Sequence, residues 1–203
     1  MDTALSEGLD AIGADLLAIQ QLTALACRIR LITSNAEVLI LGRHPAVMGK
    51  RVDPQSWSVA ECLDHLTQTT RSFLPGISLA IAEAGKLTKN RRLRTGFLPS
   101  LLVRSLTPPY RVRLKVLPQL TPENLDSQTA WSNFVNSQYQ LLEILGSAAG
   151  LAIDEVKIKS PVYARFSYNI FGAFRILVAH QSRHVWQIEQ TLKLLDSRAV
   201  GES

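Results

Sequence analysis

Cysteine is scarce in this chain. Only Cys27 and Cys62 occur in 203 residues, too few for a disulfide framework, and both fall within helical patterns, so reduced thiols in a reducing compartment are expected. Long apolar runs are scarce as well. Gln20, Gln21, Arg28 and Arg30 interrupt the most apolar early segment before it reaches the ~18 residues of a bilayer-spanning helix. The amino end, Met-Asp-Thr-Ala-Leu-Ser-Glu, lacks the basic region of a secretory signal. A cytoplasmic protein with no membrane partner is therefore expected. Convincing strand alternation is missing, as is any internal repeat, which points away from sheet folds and solenoids. Acidic residues disappear altogether from Lys86 to Lys115. Histidine is the last scarcity, with four: His44, His65, His180 and His184.

What is present describes an ordinary globular chain. Hydrophobic residues make up 46% and charged residues 19%, which excludes a disordered polymer. The length suits one domain, residues 1–203, able to bury a substantial core. A net charge of +5 and a pI near 9.5 permit an anionic partner without naming one.

Apolar residues recurring at three and four mark four long amphipathic helices. The first runs from about Leu9 to Thr33 through Ile12, Leu16, Ile19, Leu22, Ala26, Ile29 and Ile32. Ser34-Asn35-Ala36-Glu37 then reads as a capping box opening a short second run to about Leu41, ended by Gly42 and Pro45. Arg43 to Gln55 reads as a connecting loop. A second capping box, Ser58-Val59-Ala60-Glu61, opens the next helix, with Trp57 and Cys62 placed for a hydrophobic staple. It runs to about Gly85, with a kink expected near Pro75-Gly76.

Residues 86–126 form a basic crossover. Lys86, Lys89, Arg91, Arg92, Arg94, Arg104, Arg111, Arg113 and Lys115 suit a solvated connection or a basic rim attracting an anionic substrate or lipid head group. Phe97, Leu98, Leu101 and Leu102 suggest a short helix within it. After a proline-marked turn from Leu117 to Leu125, a third long helix spans about Ser127 to Ala149. Trp131, Phe134, Val135, Gln138, Leu141, Leu142 and Leu145 lie on its apolar side, with Gly150 as C-cap. A loop over Ile153 to Ala164 leads to the last helix, about Asn169 to Leu195. Together these predict an all-α fold, a four-helix bundle with a long crossover, which builds metal sites from side chains on facing helices.

The last helix carries the chemistry. His180 and His184, four apart, differ by about 40° and about 6 Å of rise, so their imidazoles can converge on one point. Their face also holds Ala173, Ile176, Leu177, Gln187 and Thr191, a polar stripe among aliphatic residues that needs partners once buried. His65 lies in a similar stripe on the second long helix, with Ser58, Glu61, Thr69 and Ser72. A pair of histidines alone is a weak motif. Three on inward faces make a candidate ion site, and His44, in a Gly-Arg-His-Pro loop, is expected to be exposed.

The stretches Trp57-Ser58-Val59-Ala60-Glu61-Cys62-Leu63-Asp64-His65-Leu66 and His180-Gln181-Ser182-Arg183-His184-Val185-Trp186-Gln187 resemble the DinB/YfiT-like superfamily of four-helix-bundle metal-dependent enzymes. The likeness covers nearly the whole chain, including Pro108-Pro109 and Pro161. It implies a divalent ion, zinc or nickel, held by His65, His180 and His184, together with a small-molecule substrate and a homodimer. Three neutral imidazoles would leave such an ion its full charge and an open position.

The zinc-protease pattern H-E-x-x-H is excluded, because Gln181 stands where its glutamate base is needed. Glu61, one turn before His65, is the nearest candidate base, although its capping box explains it without catalysis. Gln187 is placed to hold a ligand or substrate by hydrogen bonding. Cys62 is a conceivable thiolate ligand whose staple position favours packing. Three functions follow: a metal-dependent transferase or hydrolase acting on a low-molecular-weight thiol or water; a metal-binding, stress-associated bundle without turnover; and nucleic-acid binding through the basic segment. No reading motif accompanies that last charge.

Overall fold

A computed structural model describes residues 16–108, 120–123, 125–163 and 165–201. The fold is mostly helical. Helix α1, Leu16–Ile40, buries Ala18, Leu22, Ile29, Ile32 and Ala36 along one stripe. Its expected start, with Leu9 and Ile12, lies outside the described residues. The expected break after Thr33 does not occur. Ala36 is completely buried, so the core stripe continues straight through Ser34–Glu37, and Thr33 folds its hydroxyl back onto the Ile29 carbonyl at 3.0 Å. By length and composition α1, with a mean hydropathy of 1.3, would suffice to cross a bilayer, despite its glutamines and arginines. In this fold it packs against two other helices.

Helix α2, Pro45–Gly49, occupies part of the expected loop, with Pro at its first position and His44 as N-cap. The His44 Nδ1 accepts the Ala46 N–H at 3.2 Å. Helix α3, Val59–Glu83, starts at the predicted capping box: the Ser58 Oγ accepts the Glu61 N–H at 3.2 Å, and Glu61 Oε2 accepts the Ser58 N–H at 2.8 Å. It runs through Pro75, whose exposed position puts the missing donor on the solvent side.

Helix α4, Phe97–Leu106, is the short crossover helix. Arg111, Arg113, Lys115 and, of the 117–125 turn, residues 117–119 and 124, Pro118 included, lie outside the described residues. Helix α5, Ser127–Ser147, begins where the Asp126 carboxylate accepts the Thr129 N–H at 2.9 Å. It buries Ala130, Phe134, Gln138, Leu141 and Leu145. Gly150 adopts φ +74 just past the cap residue Ala148, the left-handed geometry a helix end requires of glycine.

The expected loop after it holds one strand, β1 Lys157–Lys159, which pairs antiparallel with β2 Ser167–Asn169 just beyond it, Ile158 opposite Tyr168. Each strand has three residues, too short for a legible alternation, and only its middle side chain points inward. Ala164, the expected end of the loop, is outside the described residues. Helix α6, Ile170–Gly201, extends past the expected end at Leu195.

Helices α5 and α6 each contact both α1 and α3. Phe134, Phe174, Ile29, Leu63, Leu66, Ile77 and Leu141 are fully buried between them, each contributing roughly 1.5–3 kcal/mol by leaving water. Helix α4 lies along α6, and Gly172 makes this close approach possible. A Cβ there would stand 2.7 Å from Pro99 Cγ and 2.9 Å from Asn169 Oδ1. The same Asn169 oxygen accepts the Gly172 N–H at 2.7 Å, so neither neighbour can withdraw freely. Gly172→Ala is expected to destabilise the fold by about 1–3 kcal/mol, the usual range for overpacking, read as a lowered midpoint in chemical denaturation. Gly76→Ala, where an added Cβ meets open space, should be neutral or slightly stabilising.

Candidate metal centre

Helices α3 and α6 bring together the three histidines that the spacing singled out. The capping box sets the start of α3 and hence the azimuth of His65. On α6, His180 and His184 lie one turn apart on the face toward α3. The ring centroids are 5.1 Å apart for His65–His180, 4.8 Å for His65–His184 and 4.5 Å for His180–His184. One ring nitrogen from each lies within 4.8 Å of the others. His44 is used elsewhere, as the α2 cap.

Hydrogen bonds orient the first ligand. The His65 Nδ1–H donates to the Leu120 carbonyl at 2.8 Å, which leaves the Nε2 lone pair facing the cluster. That Nε2 is 3.2 Å from His180 Nε2. Two nitrogens bound tetrahedrally at about 2.0–2.1 Å from zinc are separated by roughly 3.3–3.4 Å, so this edge has the spacing a metal demands. His184 completes the triangle, its ring centroid nearer to each of the other two than theirs are to each other. The Nδ1 atoms of His180 and His184 are buried without a hydrogen-bond partner, an uncommon condition for polar atoms in a folded interior. Trp57 walls the group, its ring 4.8 Å from that of His65 and 6.0 Å from that of His184.

Electrostatics keep the imidazoles neutral. His65 and His184 are 3% and 8% exposed, and burial penalises a charged ring. Burial lowers the His65 pKa against the opposing pull of the Leu120 carbonyl and the Asp64 charge. Burial, then His65 and Arg183, push His180 down to about 3. His184 is held well below its ordinary value by burial, His180, His65 and Arg183, with Gln187 pulling the other way. Neutral imidazole is the form that ligates a metal, so the residues present fit a divalent ion.

The remaining candidates have other tasks. Glu61 keeps its capping role and also binds Arg51, accepting from its Nε at 2.9 Å and pairing with its terminal guanidinium nitrogen. Burial opposes ionisation of Glu61, but Arg51 and the Ser58 amide outweigh it and hold the carboxyl below its usual range. Cys62 is fully buried, and desolvation pushes its thiol up to about 12, which describes a packed thiol. Gln187 is half-buried and addresses His184. Gln181, fully buried, donates to Thr70 Oγ1 at 3.1 Å and ties α6 to α3 beside the cluster.

Leu120 and Asp64 are the site groups that helical periodicity did not single out. A backbone carbonyl 55 residues away from its partner carries no residue-type signal. The chain matches no family model, no curated protein and no solved structure.

Proposed function

We propose that this chain is a metal-dependent transferase or hydrolase of the DinB/YfiT type, a four-helix bundle with a long crossover. In this reading it activates a low-molecular-weight thiol or water at a divalent ion, zinc or nickel, held by His65, His180 and His184. The observation that carries it is the convergence of three imidazoles, those of His65 and His184 buried and that of His180 half-buried, with the His65 Nε2 lone pair presented to His180 Nε2 at 3.2 Å.

A bound divalent ion supplies a Lewis acid that makes a thiolate or hydroxide available at neutral pH. The chain's own residues do the rest. Three neutral ligands leave the ion's charge uncompensated, and the Arg183 charge acting on His180 and His184 adds to the preference for an anionic reactant. Trp57 presents an apolar wall that limits water around the ligands. Glu61 is committed to Arg51 and Ser58, so the proton leaves with solvent or the second reactant rather than through that carboxylate. Cys27 and Cys62 are both free thiols, consistent with a reducing, cytoplasmic setting. A homodimer is supported by the resemblance.

The test is turnover. Protein loaded with zinc or nickel should conjugate a cysteine-containing thiol to a reactive aryl halide or epoxide, or hydrolyse an ester, at a rate proportional to protein concentration. The second reading, a metal-binding bundle without turnover, draws on the enclosure of His65 and His184. A flat response across a panel of thiols and hydrolysable esters, with metal bound, would favour it.

A further inference from the structure

The carboxylate next to His65 is placed to control that ligand without touching the ion. Asp64 is 5% exposed, an unusual burial for an aspartate, and it faces the polypeptide that supplies the Leu120 carbonyl. Its Oδ2 accepts the backbone N–H of Glu123 at 2.7 Å and the Gln68 Nε2 at 2.7 Å. Its neighbour His65 donates to Leu120 O at 2.8 Å. Two consecutive α3 residues thus grip one short stretch of the crossover from opposite chemical directions, one accepting an N–H and one donating to a C=O.

We infer that Asp64 is a positioning residue for the metal centre. By holding the Glu123 amide, it fixes the Leu120 carbonyl where the His65 Nδ1–H can reach it, and so keeps the His65 Nε2 lone pair aimed at His180. This inference rests on the metal-site reading. Gln68, one turn further along α3, holds the carboxylate in place, so the chain of contacts runs Gln68, Asp64, Glu123, Leu120, His65. Partners that orient a ligating histidine through its other ring nitrogen usually alter metal affinity 10- to 100-fold when lost.

The same linkage runs backwards. An ion drawing electron density from His65 Nε2 makes Nδ1–H a stronger donor, and this tightens the hold on Leu120. Metal loading is therefore expected to protect the Leu120 to Glu123 backbone from hydrogen exchange.

The experiment compares wild type with Asp64→Ala, Asp64→Asn and Glu123→Pro in the full chain. Zinc affinity is read by chelator competition and the His65 tautomer by long-range proton–nitrogen NMR, with circular dichroism as a check on the fold. Asp64→Ala is expected to weaken zinc binding about 10- to 100-fold and to mix the His65 tautomers. Asp64→Asn keeps an oxygen acceptor and should restore most of both. Glu123→Pro removes the amide donor while leaving the Asp64 carboxylate in place, and should mimic Asp64→Ala even if the latter folds poorly. Unchanged affinity and an unchanged tautomer in folded Asp64→Ala or Glu123→Pro would overturn the inference. If wild type binds no zinc or nickel, the metal reading falls, and the tautomer comparison still decides whether Asp64 positions His65.

Discussion

Replacing His184 by alanine is expected to remove metal from the protein while leaving the helices in place. A three-nitrogen site reduced to His65 and His180 loses a third of its donors, and the loss in affinity should exceed the roughly 10- to 100-fold typical of outer-shell changes. Elemental analysis of the purified variant is expected to show a fall from about one ion per chain to trace levels. His65→Ala should behave alike, because His65 and His180 form the tight edge at 3.2 Å. His44→Ala is the informative contrast. That imidazole caps α2 through the Ala46 amide, so its loss should cost stability of order 1 kcal/mol and no metal. Full metal content in His184→Ala would mean that the cluster is a packing feature.

Acid should unfold the metal-free protein unusually early. The sign follows from linkage. His180 and His184 are depressed in the folded state, chiefly by burial, whereas the unfolded chain protonates near the ordinary value. Below about pH 6.5 the unfolded state takes up protons that the folded state refuses, and stability falls with falling pH. It keeps falling until the folded pKa, about 3 for His180, and levels off below it.

Between pH 6.5 and 5, where carboxylates stay ionised, each imidazole held neutral contributes a loss of about 1.6 kcal/mol, the slope rising toward about 1.4 kcal/mol per unit as the unfolded ring becomes fully protonated. Denaturant titrations across that interval should show a steep slope in wild type and a shallower one in His184→Ala. A flat wild-type profile would mean that the rings accept protons while folded. Saturating zinc should raise stability at neutral pH, and that gain should vanish as protons displace the metal.

Much of the architecture was legible because local chemistry and core pattern agreed. The α3 start is the clearest case: Ser58 and Glu61 form both capping bonds, and the apolar stripe begins there. Ser34-Asn35-Ala36-Glu37 offers the same residue types with a different outcome. A cap is worth about 1 kcal/mol, while keeping Ile29, Ile32 and Ala36 on one buried stripe is worth several, so packing wins and α1 continues.

The basic crossover is a second case. Read locally, Arg91 belongs to an unbroken run of positive charge. In the fold it meets Asp154 and Glu155, 63 and 64 residues away, and becomes part of a structural ion pair. The hairpin escaped because its pairing of Ile158 with Tyr168 depends on where the ends of α5 and α6 come to rest.

Helical periodicity alone determined that His180 and His184 share a face and that His65 lies on an inward one, since rotation per residue is a local property of the backbone. Only tertiary structure decided that α3 and α6 align those faces at one level. It also supplied the Leu120 carbonyl to orient His65, and it committed Glu61 to Arg51. The reason is that a side chain's type shows which bonds it can make. Which bonds it does make depends on the groups that the rest of the chain, folding at long range, delivers within about 3 Å.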